Sequence, residues 1–269
     1  MLSSFPAFFA FGCLSGATTV LFGFGGGFVV VPVVYGFAFV NSTPADDAMH
    51  VAVATSTAVM MVNSLTATAA HWRSGLLQKE YVWPLALFVG IGGGIGALAA
   101  TLVDEGVLRA LFIAYLAVTI IDSLVRKGFL AHGTEAVPRP LGPFTATTGG
   151  IGIGAVAGFL GVGGSVMTVP LLRRKGLAMA GAAAMANPLS APVAAVGTIV
   201  YAFASTGAAD ALGGGYLGFI DLTAAAALLA GSLPTIAVVR RVAGPIPDRA
   251  HAIAYIGLLT VVLVVMLLG

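Results

Sequence analysis

The sequence predicts an all-α polytopic membrane protein built from two inverted repeats, each a glycine-broken helical hairpin followed by three transmembrane helices. Three observations predict it. Of the 269 residues, 59% are hydrophobic and 8% charged, with a mean hydropathy of +1.05, whereas soluble domains carry about 25% charged residues. The apolar residues fall in continuous runs, most of them near the ~20 residues that cross a bilayer as helix. Finally, the stretch Gly23-Phe24-Gly25-Gly26-Gly27 through Val31-Pro32 recurs 138 residues later as Gly161-Val162-Gly163-Gly164-Ser165 through Val169-Pro170.

In order, the apolar segments are 5–40, 48–70, 81–103, 107–125, 141–172, 178–206, 216–239 and 250–268. Two exceed a simple span, and these two carry the glycine breaks. If each long segment crossed once, five basic residues would lie on one face and seven on the other. If each folds back at its glycines, Arg109 alone lies on one face and the other eleven on the opposite face. Lys and Arg accumulate on the cytoplasmic side, so the hairpin topology is the expected one, with both termini extracytoplasmic.

A hairpin plus three crossings is an odd count, so the second half must be inverted. Repeat 1 is residues 1–126 with its hairpin at 5–40. A polar, breaker-rich cytoplasmic linker covers 127–140. Repeat 2 is 141–269 with its hairpin at 141–172. Gly16 to Pro32 aligns without gaps on Gly154 to Pro170 with seven identities in 17, and the Arg109 to Tyr115 stretch echoes Arg249 to Tyr255. The arm from Ser165 to Leu172 is eight residues, ~12 Å as helix, which predicts a re-entrant hairpin.

Composition also excludes functions. A net charge of +2 with dispersed basic residues gives no nucleic-acid patch. The single cysteine, Cys13, excludes a disulfide framework and a cysteine metal site within one chain; no cofactor or metal is expected. No basic stretch precedes Ala10-Phe11-Gly12-Cys13, so the N-terminal segment is expected to be retained.

Adjacent glycines inside apolar runs break helices, and unpaired backbone at membrane depth is tolerated only when buried in protein or lining a cavity. A hairpin turning at Gly25, Gly26 and Gly27 aims the N-terminus of its second helix, at Phe28, into the membrane; Gly163, Gly164 and Ser165 do so from the other side. Helix N-termini carry free N–H groups and about half a positive charge, so two that face each other form an anion site without buried Lys or Arg. Thr55 and Ser56 in the second segment and Asn187 in the sixth reach similar depth and supply hydroxyl and amide groups. Asn63 and Thr66 are candidates either for lining a pathway or for interhelical bonding. Gly92, Gly93, Gly94 and Gly96 read as close-packing residues. His50, His71 and Asp122 lie near interfaces and are the candidates for proton coupling, against a reading as solvated residues. Trp72, Trp83, Tyr81 and Tyr216 read as belt aromatics.

On the doubled glycine motif the chain resembles the sulfite exporter TauE/SafE family, in length, two halves and segment order. The resemblance implies a bacterial inner-membrane permease for small sulfur-containing anions such as sulfite and organosulfonates. It assigns the family's glycines to Gly23, Gly25, Gly26 and Gly27 and to Gly161, Gly163 and Gly164, with Ser165 replacing the last glycine, and its Thr-Ser pattern to Thr55 and Ser56. The second half carries Asn187-Pro188 instead. The expected function is a secondary transporter working by alternating access, its partners a small inorganic or organosulfur anion and the lipid bilayer. An oligomer is compatible with this reading. An anion channel is the alternative, and an intramembrane enzyme a weaker one, because no nucleophile and base are spaced as a pair.

Overall fold

The computed structural model describes residues 4–40, 47–73, 79–125, 141–204, 212, 214–244 and 246–268. The chain is a polytopic helical membrane protein. Among the described residues seven helices are long and apolar enough to cross a membrane. The linker expected at 127–140 lies outside the described residues.

The first long segment is two helices, α1 (Phe5–Phe22) and α2 (Gly27–Val40). Gly23 ends α1 in the left-handed conformation, φ 73°, its N–H donating to the Thr19 carbonyl. Gly25 and Gly26 also take positive φ, which side-chain-bearing residues avoid. The chain then folds back, since Phe8 near the start of α1 meets Phe37 near the end of α2 with ring centroids 4.7 Å apart. The other long segment repeats the device. A π-helical turn, Thr145–Gly149, leads into α7 (Gly150–Leu160), Gly161 caps it at φ 66°, and α8 (Ser165–Arg174) follows. Its second arm is therefore ten residues, ~15 Å, two more than the sequence suggested.

Between them lie α3 (Ala48–Arg73), the short α4 (Lys79–Val82), α5 (Leu85–Ala100) and α6 (Glu105–Val125); after them come α9 (Met179–Phe203), α10 (Leu222–Val242) and α11 (Asp248–Leu268). The apolar run from 216 does not begin as helix. Tyr216–Leu217 and Ile220–Asp221 are two short antiparallel strands, β1 and β2. Asp221 then caps α10, its carboxylate accepting from the N–H groups of Thr223 and Ala224 at 2.9 Å. That side chain satisfies two of the four orphan donors at the helix start.

Small residues set the packing. Gly92 and Gly96 of α5 lie on the backbone carbonyls of Ile151 and Ala155 in α7, and Gly154 and Gly158 lie reciprocally on Val89 and Gly93. Gly12 and Gly16 of α1 meet Leu228 and Ser232 of α10 in the same manner. Any Cβ there would strike main chain, so these glycines let the helix backbones touch. The contacts also give helix directions. α1 runs parallel to α10, and α5 parallel to α7. Gly90, Gly93 and Gly94 pair in step with Pro192, Val193 and Val196, so α5 is also parallel to α9. Thr55 and Asn63 of α3 meet Asp221 and Ser232 in step, which makes α3 parallel to α10. α3 and α9 cross in opposite senses: Met60 and Ser190 share Gly163, whereas Thr57, earlier in α3, meets Gly197, later in α9.

The charged residues separate along α11. At its start, Arg173 makes a two-bond ion pair with Asp248, at 2.9 and 3.0 Å, and Arg174 pairs with Asp122 at the end of α6. At its other end, Arg109 donates to the Met266 carbonyl at 3.0 Å and lies over the Tyr35 ring. The 18 residue steps from 248 to 266 span about 27 Å as helix. Arg109 therefore sits across the molecule from Arg173 and Arg174, where a single-crossing topology puts all three on one face.

Candidate functional site

The two glycine breaks meet in the interior. A Cβ on Gly27 would fall 2.9 Å from the Gly161 carbonyl oxygen and 3.1 Å from the Cα of Val162. Ser56, fully buried on α3, joins them: its hydroxyl donates to the Gly161 carbonyl at 2.8 Å and reaches the Gly27 carbonyl at 3.2 Å. Phe24, Phe28, Val162, Ser165 and Val166 are all 0% exposed. The start of α2 and the start of α8 thus lie side by side at depth, their axes leading to opposite ends of the molecule.

Each break is seated on the long helix of the opposite half. Gly23 lies against the backbone of Ala183 in α9, and Gly161 against that of Val53 in α3. Asn187, one turn beyond Ala183, donates to the Thr19 carbonyl at 3.0 Å, capping the end of α1. Thr55 points elsewhere. Its hydroxyl accepts from the Asp221 N–H at 2.9 Å and fixes the β2 strand to α3. Of the residues read from sequence, the structure therefore brings together Gly25, Gly26, Gly27, Phe28, Ser56, Gly163, Gly164, Ser165 and Asn187, while Thr55, equally buried, is engaged by β2 instead.

The two tips differ in how far their polar groups are spent. At the first, Asn63 donates to the Ser15 hydroxyl and the Gly25 carbonyl, both at 3.3 Å, and its own carbonyl accepts from Ser232 at 2.7 Å. That network is interhelical bonding, one of the two readings open for Asn63. At the second, the hydroxyls of Ser165 and Ser190 are buried with no hydrogen-bond partner among the described residues; the Asn187 side-chain carbonyl and, beside Gly25 at the first tip, the Ser64 hydroxyl share that condition. Met60 stands between the tips, its side chain against both Gly25 and Gly163. Ser190 follows Asn187-Pro188 among the polar groups that the sequence sets at this depth, but Ser15, Met60 and Ser232 are not marked by it as site residues. The doubled motif locates the breaks but not what faces them; the Ser190-Ala-Pro192 context of α9 was the available signal.

The titratable candidates sit at the ends. His50 is 6% exposed with Nε2 at 3.1 Å from the carbonyls of Ala100 and Val103. With two carbonyl acceptors, that nitrogen is the donor. Asp122 is engaged by Arg174, and His71 is half-buried in the last turn of α3. Among the aromatics, Trp72 and Trp83 are well exposed, as belt residues are, but Tyr81 is 5% exposed and belongs to the core.

Fold and site together define a multi-pass membrane protein with two broken helices meeting at depth. The chain belongs to the sulfite exporter TauE/SafE family, whose model matches residues 8–266. It is similar to a probable membrane transporter protein of Haemophilus influenzae, 27% identical over 62% of this chain and 61% of that one. Similar proteins with the same description come from Methanocaldococcus jannaschii, 27% identical over 62% of this chain and 61% of the relative, and Bacillus subtilis, 26% identical over 63% and 67%. The chain spans 61% of the length of the first two relatives. No solved structure matches it at a significant level. The family is one of membrane transporters, not enzymes.

Proposed function

We propose that this chain is a secondary transporter that binds a small oxyanion, sulfite or an organosulfonate, between the two hairpin tips and moves it by alternating access. The carrying observation is the contact of Gly27 with Gly161 under the Ser56 hydroxyl. With Met60 bordering both Gly25 and Gly163, that contact leaves the starts of α2 and α8 close together inside the membrane in this reading, where their dipoles and free N–H groups favour an anion. The two halves are inverted repeats in this reading. Support comes from the helix senses: each of α1, α3 and α5 runs opposite to its counterpart α7, α9 and α10. A pseudo-two-fold of this kind gives two equivalent ways to rock the halves, which is the logic of inverted-repeat carriers.

The end carrying Arg173, Arg174, Arg240, Arg241 and Arg249 faces the cytoplasm of a bacterial inner membrane in this proposal, with both termini extracytoplasmic. Full burial of both tips suits a carrier that occludes its substrate better than an open anion channel. His50, His71 and Asp122 are the groups through which any proton coupling passes. The test is uptake by purified protein in liposomes, screened against sulfite, sulfoacetate, thiosulfate and sulfate. Saturable flux of at least one sulfur oxyanion is expected; no flux of any, or flux rising linearly with concentration, contradicts the reading.

A further inference from the structure

The second tip sets two unpartnered hydroxyls near the Met60 thioether, where the first, beside the same Met60, has the Ser64 hydroxyl. Ser165 opens α8, and Ser190 faces the same turn from α9, its Oγ 3.0 Å from where a Gly163 Cβ would stand. Both residues are 0% exposed, and neither hydroxyl has a hydrogen-bond partner among the described residues. A buried donor left unsatisfied is costly, and here two such donors adjoin a helix N-terminus of a ten-residue helix. The Met60 thioether borders the same point, with Sδ 2.6 Å from the Gly163 Cβ position and 3.4 Å from that of Gly25. A thioether donates no hydrogen bond. An anionic oxygen pressed against it would lose water and gain nothing.

We propose that Ser165 and Ser190 hold the oxygens of a three-oxygen anion while Met60 faces its oxygen-free direction, so that the site selects pyramidal or substituted XO3 anions over tetrahedral XO4 anions. This rests on the anion-site reading above and adds to it the residues that set specificity. In sulfite the direction toward Met60 holds the sulfur lone pair, and in a sulfonate it holds the carbon substituent; neither requires a donor. In sulfate or phosphate it holds a fourth oxygen. Rejection of that oxygen by an unpaired contact is the kind of discrimination that buried polar mismatch provides.

Isothermal titration of the purified full-length protein with sulfite, methanesulfonate and sulfate tests this. Wild type is expected to bind the first two at least about tenfold tighter than sulfate, and Ser165→Ala and Ser190→Ala each to weaken both by about tenfold, the usual cost of a hydrogen bond to a charged partner. Met60→Gln places an amide donor against the fourth oxygen and is expected to raise sulfate affinity by about tenfold, whereas Met60→Leu leaves the preference intact. Ser165→Ala decides alone should Ser190→Ala not fold, because alanine is tolerated at the start of a helix. Wild-type affinities in folded Ser165→Ala, or an unchanged sulfate ratio in Met60→Gln, overturn this assignment and leave the anion site standing. Failure of wild type to bind any of the three overturns the site reading itself.

Discussion

The two hairpin tips begin alike and part at their fourth residue. Gly23 and Gly25 match Gly161 and Gly163 in positive φ, but Gly26 stays left-handed at φ 89° while Gly164 is α-helical at φ −69°. The surroundings follow. A Cβ on Gly26 would collide with the Ser15 hydroxyl and come within 3.0 Å of Asn63, whereas one on Gly164 would find only ordinary contacts with Ile153, Val89 and Thr168. The Ser15–Asn63–Ser232 network locks the first tip at Gly26 and leaves the Ser64 hydroxyl beside Gly25 unspent; the second has slack at Gly164 and two unspent hydroxyls, Ser165 and Ser190. One motif thus yields a locked turn and a looser one. The difference teaches that motif identity reports backbone shape, while the facing helices decide what each copy does.

The largest expected effect is a split between equivalent-looking glycines. Gly26→Ala forces a side chain into a left-handed turn with no room, at a cost of ~1–2 kcal/mol from conformation alone, and transport in liposomes should be lost. Gly164→Ala should retain most of the wild-type flux. Equal losses in the two variants would erase the distinction between the tips.

Next come the anchors of the two second arms. α8 is held by Arg173, 1% exposed, on Asp248, whose Oδ1 also accepts from the Met179 N–H at 2.6 Å. α2 is held at its far end by Tyr35 under Arg109, with 5.3 Å between guanidinium carbon and ring centroid. Asp248→Asn leaves a buried guanidinium short of its counter-charge and should destabilise by about 3 kcal/mol. Arg109→Gln loses a part-exposed cation–π contact and should cost about 1 kcal/mol. Thermal denaturation in detergent measures both, and the reverse order would contradict the assignment of the stronger anchor to the second hairpin.

Ser56→Ala tests what joins the tips. Its hydroxyl is the donor shared by the Gly27 and Gly161 carbonyls, so its loss should destabilise by ~1–2 kcal/mol, read in the same melt. A neutral result would mean that backbone packing alone holds the breaks together. Smallest is the pH effect. The tips present neutral donors, and the buried His251 beside the first of them is engaged on the Leu21 carbonyl at 2.6 Å, so binding between about pH 6 and 8 should change little beyond the substrate's own titration. A steep dependence that persists in His50→Gln, His71→Gln and Asp122→Asn would show that protons are handled elsewhere.

Much of this was legible because lipid constrains backbone more than water does. Glycines at 23, 25, 161 and 163 inside apolar runs had to be turns, and Gly92 and Gly96 spaced at four had to be a packing face. The basic-residue count pointed to Arg109 standing apart, and the structure sets it across α11 from Arg173. What escaped depended on partners distant in sequence. Asp248 reads as a helix-start acid until α8 brings Arg173 to it, and Asn63 cannot be told from a pathway residue until Ser15 and Ser232 close around it. The strands at 216–221 were hidden because a short apolar hairpin and the first turn of a helix share a composition. Gly164 was grouped with Gly26 for the same reason that Thr55 was grouped with Ser56: sequence gives adjacency, not direction.

The measurement closest to the central claim is anomalous scattering from selenite, a pyramidal oxyanion, in crystals of the intact protein. A single selenium peak beside Ser165, Ser190 and Met60, between the starts of α2 and α8, is the predicted result. Selenium found only at the basic end near Arg174 and Arg241, with none between the tips, would contradict the account.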